Sequence, residues 1–378
     1  MDYGKNRTWL EVDLAVLREN YRKIQQRVSP AVGVMAVVKA DAYGLGAVKA
    51  TQALAAAGCR QFGTAYLEEA MELRENGIQA PILVLGPVPL HQVEVAVEHR
   101  LTLQVSSLAM AAAFDQVAAR MGRTLGVQIA ADVGMARFGL PLEGRVEAAA
   151  EEASAICRLP HLKVEGYYTH LQVLGTTPEG QEFDRHQFGL FREFTDRLYA
   201  AGFRATRHCA CSAMLLLHPQ SYLDQVRVSA LLFGLQNPLG QPFQLPEVVS
   251  LRSRVVHLKQ VPQGSPVGYG PHYTQRDTRL AIIPIGFGDG LHRSVSHKAP
   301  VLIRGQRATV FGKLCMDFCM VDVTNIPAEI GDEVTLIGKS GGQSVSIFEY
   351  AALYGGTACE VTTSLGKRIN RIYLHEQD

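Results

Sequence analysis

Short apolar runs alternate with amphipathic stretches through the first two-thirds of the chain. Thr8-Trp9-Leu10-Glu11-Val12-Asp13 alternates as a strand and ends on Asp13, a good helix N-cap. Leu14, Leu17, Tyr21, Ile24 and Val28 then recur at helical spacing. Eight further strands are expected at Val32–Val38, Phe62–Thr64, Ile82–Leu85, Leu101–Val105, Leu125–Ala131, Val164–Tyr168, Thr206–Cys209 and Gln225–Val228. Helical patterns such as Leu67–Asn76, Ser107–Met121 and Phe183–Ala201 lie between them. Strand–helix alternation implies parallel pairing, because a parallel neighbour is reached only through a crossover. Eight such units close into an α/β architecture, the (β/α)8 TIM-type barrel.

From about residue 245 the texture changes. Strand-like segments follow one another at Arg252–Val261, Leu280–Ile285, Val301–Ile303, Ala308–Phe311, Met320–Val323 and Glu333–Ile337. Turn signals such as Pro262-Gln263-Gly264 and Arg304-Gly305 separate them, and one short helix is expected at Ile347–Leu353. The expected organisation is a barrel over 14–244, a mostly antiparallel β domain over 245–378, and a strand within 1–13 that packs with the C-terminal domain. A chain of 378 residues fits two domains at roughly 150 residues each.

Composition narrows the partners. Hydrophobic content is 47%, ample for a large core, and 37 basic residues nearly cancel 36 acidic ones. Such balance predicts no nucleic-acid or membrane-surface partner. The stretch Met1–Arg7 has no apolar segment behind it and does not read as a signal peptide. No apolar run reaches the ~18 residues of a membrane span. A cytoplasmic protein with reduced thiols is expected. Of the seven cysteines, Cys209-x-Cys211 and Cys315-x3-Cys319 lack a second pair at zinc-like spacing, so no metal is expected.

Barrel enzymes carry their chemistry at the C-terminal strand ends. Those positions hold Lys39 after the first strand and Asp132-Val133-Gly134-Met135-Ala136-Arg137 after the fifth. They hold His170 after the sixth, Ser212 after the seventh and Arg227 at the end of the eighth. A lone lysine at a strand end usually snorkels to solvent. A partly desolvated amine there can instead form a Schiff base with a carbonyl, that of pyridoxal phosphate included. One lysine, two arginines, a histidine and a hydroxyl around one opening favour an anionic ligand.

Val37-Val38-Lys39-Ala40-Asp41-Ala42-Tyr43-Gly44-Leu45-Gly46 resembles the pyridoxal-lysine motif of the alanine racemase family. The likeness continues in order along nearly the whole chain. It includes Asp132–Gly139, Tyr168-Thr169-His170, His208 with Ser212-Ala213, Val226-Arg227, Val267-Gly268-Tyr269-Gly270, Pro284–Gly290, Cys315-Met316-Asp317 and Met320–Thr324. The resemblance implies pyridoxal 5'-phosphate as a Schiff base on Lys39 and a homodimer whose active sites are shared. It implies two bases on opposite faces of a substrate carbon, Lys39 and the Tyr269 of the partner subunit. It further implies His170 against the cofactor ring and Arg227 opposite its pyridine nitrogen. The phosphate would be held by Tyr43, Ser212 and the backbone N–H groups of Ser229 and Ala230. Arg137 and the Met316 N–H would take the substrate carboxylate, with His208, Phe287, Cys315, Asp317 and Cys359 as supporting or gate positions. An arginine stays charged and discourages protonation of the ring nitrogen, which argues for racemisation over decarboxylation.

Several positions depart from the family pattern. Ala130 stands where many members carry a carbamate-modified lysine beside the arginine matching Arg137, so a bound anion such as chloride, or water, is expected there. Cys211, Ser229, Ala230 and Phe233 replace an asparagine, a glycine, an isoleucine and a tyrosine. Phe287 replaces an entrance tyrosine, and Cys359 a gate tyrosine for which the nearby Tyr354 is a possible substitute. The expected activity is an L- and D-alanine racemase. The alternatives are a racemase of broader or shifted specificity, another pyridoxal enzyme on the same fold, and a non-catalytic pyridoxal-binding paralogue.

Overall fold

The computed structural model describes residues 7–237 and 239–376. The first six residues of the expected N-terminal segment and the last two of the C-terminal domain lie outside the described residues. The chain divides into two compact units. One comprises Arg18–Ala42 and Ala47–Leu245; the other comprises the N-terminal strand through Leu17, Tyr43–Gly46 and everything from Pro246.

After β1 (Thr8–Asp13), which belongs to the second unit, the barrel strands are β2 (Gly33–Val37), β3 (Gln61–Thr64), β4 (Ile82–Val84), β5 (Thr102–Val105) and β6 (Leu125–Asp132). A two-residue strand, β7 (Leu140–Pro141), pairs with β6 off the main path of the sheet. Then come β8 (Leu162–Tyr168), β9 (Thr206–His208) and β10 (Gln225–Val228). The sheet order is β10-β2-β3-β4-β5-β6-β8-β9, and every neighbouring pair is parallel. Arg227 N–H to Ala210 O (2.9 Å) and Asp224 N–H to Arg207 O (3.2 Å) link the remaining edges. The strands read as continuous apolar runs because both of their faces are covered, as Met35, Ala36, Leu83, Leu103, Val127 and Val226 show by their burial.

The β unit contains β11 (Val249–Arg254), β12 (His257–Val261), β13 (Thr278–Ile283), β14 (Pro300–Ile303), β15 (Gln306–Phe311), β16 (Cys319–Asp322), β17 (Glu333–Ser340), β18 (Gln343–Val345) and β19 (Asn370–Leu374). Its order is β12-β13-β16-β15-β14-β17-β11-β1-β19, with β18 on β17. All of these pairs are antiparallel except β1 with β19. The expected single strand at Arg252–Val261 is two. Val255 N–H bonds Asp332 O and Val256 N–H bonds Ile282 O, so the chain changes neighbours at that step. Two helices stand where one was expected, Ile347–Ala352 and Ala358–Ser364. The second begins with a capping box between Thr357 and Glu360, a signature present in the sequence as Thr-Ala-Cys-Glu.

Candidate active site

Past β2 the chain enters a turn of helix, Lys39–Gly44, that winds left-handed. φ is 51° at Ala40, 54° at Asp41, 50° at Ala42, 60° at Tyr43 and 81° at Gly44. L-residues resist this conformation by roughly 1–2 kcal/mol each, and strain of this kind persists only where neighbours over-determine it. They do so here. Ala42 N–H donates to Val38 O (2.9 Å), Ala40 N–H to Glu69 Oε1 (2.6 Å) and Ala47 N–H to Asp41 Oδ1 (2.7 Å). Lys39, half-buried, opens this turn, and Tyr43 lies four residues along it. Among the described residues the Lys39 amine makes no hydrogen bond or ion pair.

The loop after β6 is built on Asp132, whose Oδ1 accepts from Gly134 N–H (2.9 Å) and Ala136 N–H (3.2 Å). Gly139 has φ of 120°, and a Cβ there would come within 2.7 Å of the Ala131 carbonyl carbon. The exposed Arg137 lays its guanidinium 4.6 Å from the Phe138 ring centroid. After β8, Thr169 Oγ1 donates to Ala131 O (2.7 Å) and its N–H reaches His208 O (3.3 Å), fixing the step into His170. Burial first, then the positive charges of Arg227, Arg137 and Lys39, push the His170 imidazole down to about 3. His170 is therefore neutral at physiological pH, and every charge acting on it is a cation.

Arg227 is buried at the end of β10 and joins no ion pair among the described residues. Its Nη1 reaches His208 Nδ1 (2.8 Å) and His208 O (2.9 Å), and its Nη2 donates to Thr169 O (2.6 Å). His208 is held well below its ordinary pKa by burial and by Arg227. The Tyr168 ring stacks on His208 at 5.3 Å and 7°, and the Arg227 guanidinium lies 5.4 Å from the Tyr168 centroid. Ser212 Oγ accepts from Ser229 N–H (3.1 Å) and Leu231 N–H (3.4 Å). Ser229 and Ala230 begin a helical turn, since Leu232 N–H bonds Ser229 O and Leu235 N–H bonds Ala230 O. Ser212 also starts the helix Ser212–Leu217. Two helical starts thus follow the seventh and eighth barrel strands, where this architecture commonly binds phosphate.

In the β unit, Tyr269 sits between Gly268 (φ 69°) and Gly270 (φ 91°) in an exposed hairpin closed by Val267 N–H to His272 O (2.8 Å). Phe287 and Met316 occupy two loops bonded together. Phe287 N–H reaches Cys315 O (3.1 Å) and Gly288 N–H reaches Met316 O (2.9 Å), while a Cβ at Gly286 would lie 2.2 Å from Cys315 O. The same cluster ties Arg368 to Asp317 (2.7 Å) and to the buried Asp289 (3.2 Å). Arg293 lies over the Phe287 ring at 5.6 Å. Cys359 is the second residue of the helix Ala358–Ser364, and Tyr354 stacks on His292 at 4.7 Å.

Within the barrel unit, the positive charges of Lys39, Arg137 and Arg227 all act on His170, and that of Arg137 acts on Arg227. Gln128 and Tyr168, which support His208, were not singled out from the sequence as site residues. The available signal was an amide within the otherwise apolar β6, because a buried polar residue is informative where a buried leucine is not. An amine and a buried guanidinium that have no carboxylate partner among the described residues, with a hydroxyl between two helical starts, fit an anionic aldehyde such as pyridoxal phosphate.

The family model for the alanine racemase N-terminal domain matches residues 12–237, and that for the C-terminal domain matches residues 248–373. The chain is 39% identical to the alanine racemase of Desulfovibrio desulfuricans over 97% of this chain and 98% of that protein. The solved alanine racemase of Streptomyces coelicolor A3(2) superposes with a TM-score of 0.91 at 33% identity, covering 98% of each chain. That of Bartonella henselae, solved with covalently bound pyridoxal phosphate, gives 0.86 at 28% identity over 97% of this chain and 99% of that one.

Proposed function

The chain belongs to the alanine racemase family, and from that premise we propose that it interconverts L- and D-alanine using pyridoxal phosphate carried on Lys39. The observation that supports the cofactor is the collection of cations around His170, with a buried Arg227 that no carboxylate among the described residues neutralises. A phosphate and a substrate carboxylate are the anions such a site suits. Ser212 and the turn starting at Ser229 and Ala230 would take the phosphate, with Tyr43 as a further donor. Neutral His170 would lie against the ring. Pyridoxal phosphate, when bound, delocalises the electron pair left on the substrate Cα after its proton is removed.

The protein's part is to move that proton. Lys39 takes or returns it on one face, and a tyrosine serves the other. An ordinary phenol near pKa ~10 is a weak base unless cations favour its anion, which is what Arg137 and the surrounding charge would supply. We assign the second base to the Tyr269 of the partner subunit, in a homodimer with shared sites. Tyr269 is 59% exposed on its own chain, and Tyr273, Met316 and Phe318 are also exposed large apolar residues of the same unit. An exposed apolar group of this kind suits a protein interface. Arg137 and the Met316 N–H would orient the substrate carboxylate.

A second reading, broader side-chain tolerance, is favoured by Phe287 and Cys359 at gate positions and by Tyr354 being engaged with His292 and with Thr357 O (3.4 Å). Deuterium incorporation at Cα, followed with L- and D-alanine, serine, lysine and arginine, tests both. Exchange confined to alanine in both directions supports the first reading, and comparable rates across the panel support the second. Cofactor absorption without any exchange would leave only a pyridoxal-binding protein.

A further inference from the structure

We propose that Gln128 is a positioning residue for Arg227: its amide selects the tautomer of His208, and His208 in turn fixes the guanidinium. Gln128 lies wholly buried on β6, and nothing in the racemisation step itself calls on it. This inference rests on the reading of Arg227 as the group facing the pyridine nitrogen of pyridoxal phosphate.

The argument is one of donors and acceptors. A guanidinium only donates. Arg227 Nη1 lies 2.8 Å from His208 Nδ1, so that nitrogen must present its lone pair. An imidazole with a lone pair on Nδ1 and no positive charge carries its proton on Nε2. That N–H points at Gln128 Oε1, 2.7 Å away. Were the Gln128 amide turned over, its NH2 would face Nε2, the proton would move to Nδ1, and two donors would confront each other at Arg227. One amide orientation alone leaves no such clash.

The other neighbours of His208 cannot make this choice. Tyr168 stacks on the ring and fixes its plane, with its hydroxyl donating to Leu85 O (3.0 Å), but it offers nothing to either ring nitrogen. Space for the amide comes from β8. A Cβ at Gly166 would stand 2.9 Å from Thr206 O, 3.0 Å from Gln128 Cδ and 3.2 Å from its Nε2. The polarity therefore runs in one direction, from Arg227 through His208 to Gln128. A carboxylate at 128 would favour an imidazolium and set an N–H against the guanidinium. A thioether would leave the proton free to choose either nitrogen.

The test uses the holoenzyme and three variants, Gln128→Met, Gln128→Glu and Gln128→Asn. Nitrogen-15 histidine spectra, with His208 assigned through His208→Gln, read the tautomer. Steady-state kinetics and the absorption of the bound cofactor read the consequence. Wild type should show the proton on Nε2. Gln128→Met should mix the tautomers and lower kcat roughly tenfold, the loss expected for one hydrogen bond to a charged group, with KM within about twofold. Gln128→Glu should protonate both nitrogens, shift the cofactor band and lower kcat further. Gln128→Asn, which keeps the amide but draws it back from His208 by one methylene, should move the tautomer in the same direction by less, and it reads the effect if Gln128→Met or Gln128→Glu does not fold. An unmixed Nε2–H signal with wild-type kcat in Gln128→Met overturns the proposal. Absence of a cofactor band in the wild type would instead overturn the pyridoxal reading, and the tautomer measurement would still decide the role of Gln128.

Discussion

Arg227 and Tyr269 are both assigned to one reaction, yet they are held in opposite ways. Arg227 is 5% exposed and spends its donors on His208 and on two backbone carbonyls. Tyr269 is 59% exposed at a hairpin tip, between two glycines with positive φ. Arg227 is thus fixed from within the barrel unit, where burial makes each hydrogen bond costly to lose. The hairpin fixes only a backbone shape and leaves its side chain to be used elsewhere. The proposed service to a second copy of the chain requires this presentation, because burial in its own unit would withhold the side chain.

The largest effect should come from the barrel side. Lys39→Ala is expected to abolish the cofactor's lysine-linked absorption and reduce racemisation by at least ~10³-fold. Its half-buried amine, without a partner among the described residues, contributes little to the fold, so the unfolding free energy should stay within about 0.5 kcal/mol. Retained activity would remove Lys39 from its assigned role. Tyr269→Phe should cost roughly 10²–10⁴ in rate, the usual range for a lost acid–base group. The loss should be unequal when Cα exchange is followed from the L and the D substrate, because only one face is affected.

Mixing the two inactive variants sharpens the contrast. If each site takes Lys39 from one chain and Tyr269 from the other, a hybrid dimer regains one intact site of its two. Random reassortment then restores roughly a quarter of wild-type activity. No recovery, with hybrid formation confirmed by mass, would show that both residues come from the same chain.

Much of this division was legible in the sequence, and for a physical reason. Strands buried on both faces must be apolar, so a charged residue at the end of such a run stands out, as Lys39 and Arg227 do. The handedness of the turn after Lys39 was not legible. Of Ala40, Asp41, Ala42 and Tyr43 only the aspartate is at all inclined to positive φ, and the conformation of the run is imposed by bonds to Glu69, Asp41 and Val38. The break at Val255-Val256 was hidden likewise, because the partners that set it are Asp332 and Ile282, far away in sequence. The helix Ala358–Ser364 is a different case, since its capping box could have been read directly.

A smaller effect lies in pH. His170 and His208 are both held below their ordinary range, His170 at about 3. In the unfolded chain each takes a proton near pH 6.5, while the native state resists doing so. Below pH 6.5 the unfolded state therefore binds more protons, and stability falls with falling pH until the native groups titrate, near 3 for His170. The slope is about 1.4 kcal/mol per pH unit for each histidine. Urea unfolding of the cofactor-free protein at pH 7, 6 and 5 measures it, and His170→Gln should lower the slope by about 1.4 kcal/mol per pH unit at most. An unchanged slope would mean that His170 titrates normally in the native protein.

The smallest expected change separates two glutamines. Gln104 on β5 is the register partner of Gln128 on β6, and both are buried. Gln128 accepts from His208, whereas neither amide atom of Gln104 has a hydrogen-bond partner among the described residues. Burying an amide without partners costs roughly 1–3 kcal/mol, so Gln104→Met should stabilise the protein by about 1 kcal/mol. The same replacement at Gln128 strips His208 of its acceptor and should destabilise by a similar amount. Chemical denaturation of the two variants gives the signs. If Gln104→Met destabilises instead, that amide is engaged in the native protein, and the barrel interior holds a longer polar chain than the one from Arg227 to Gln128.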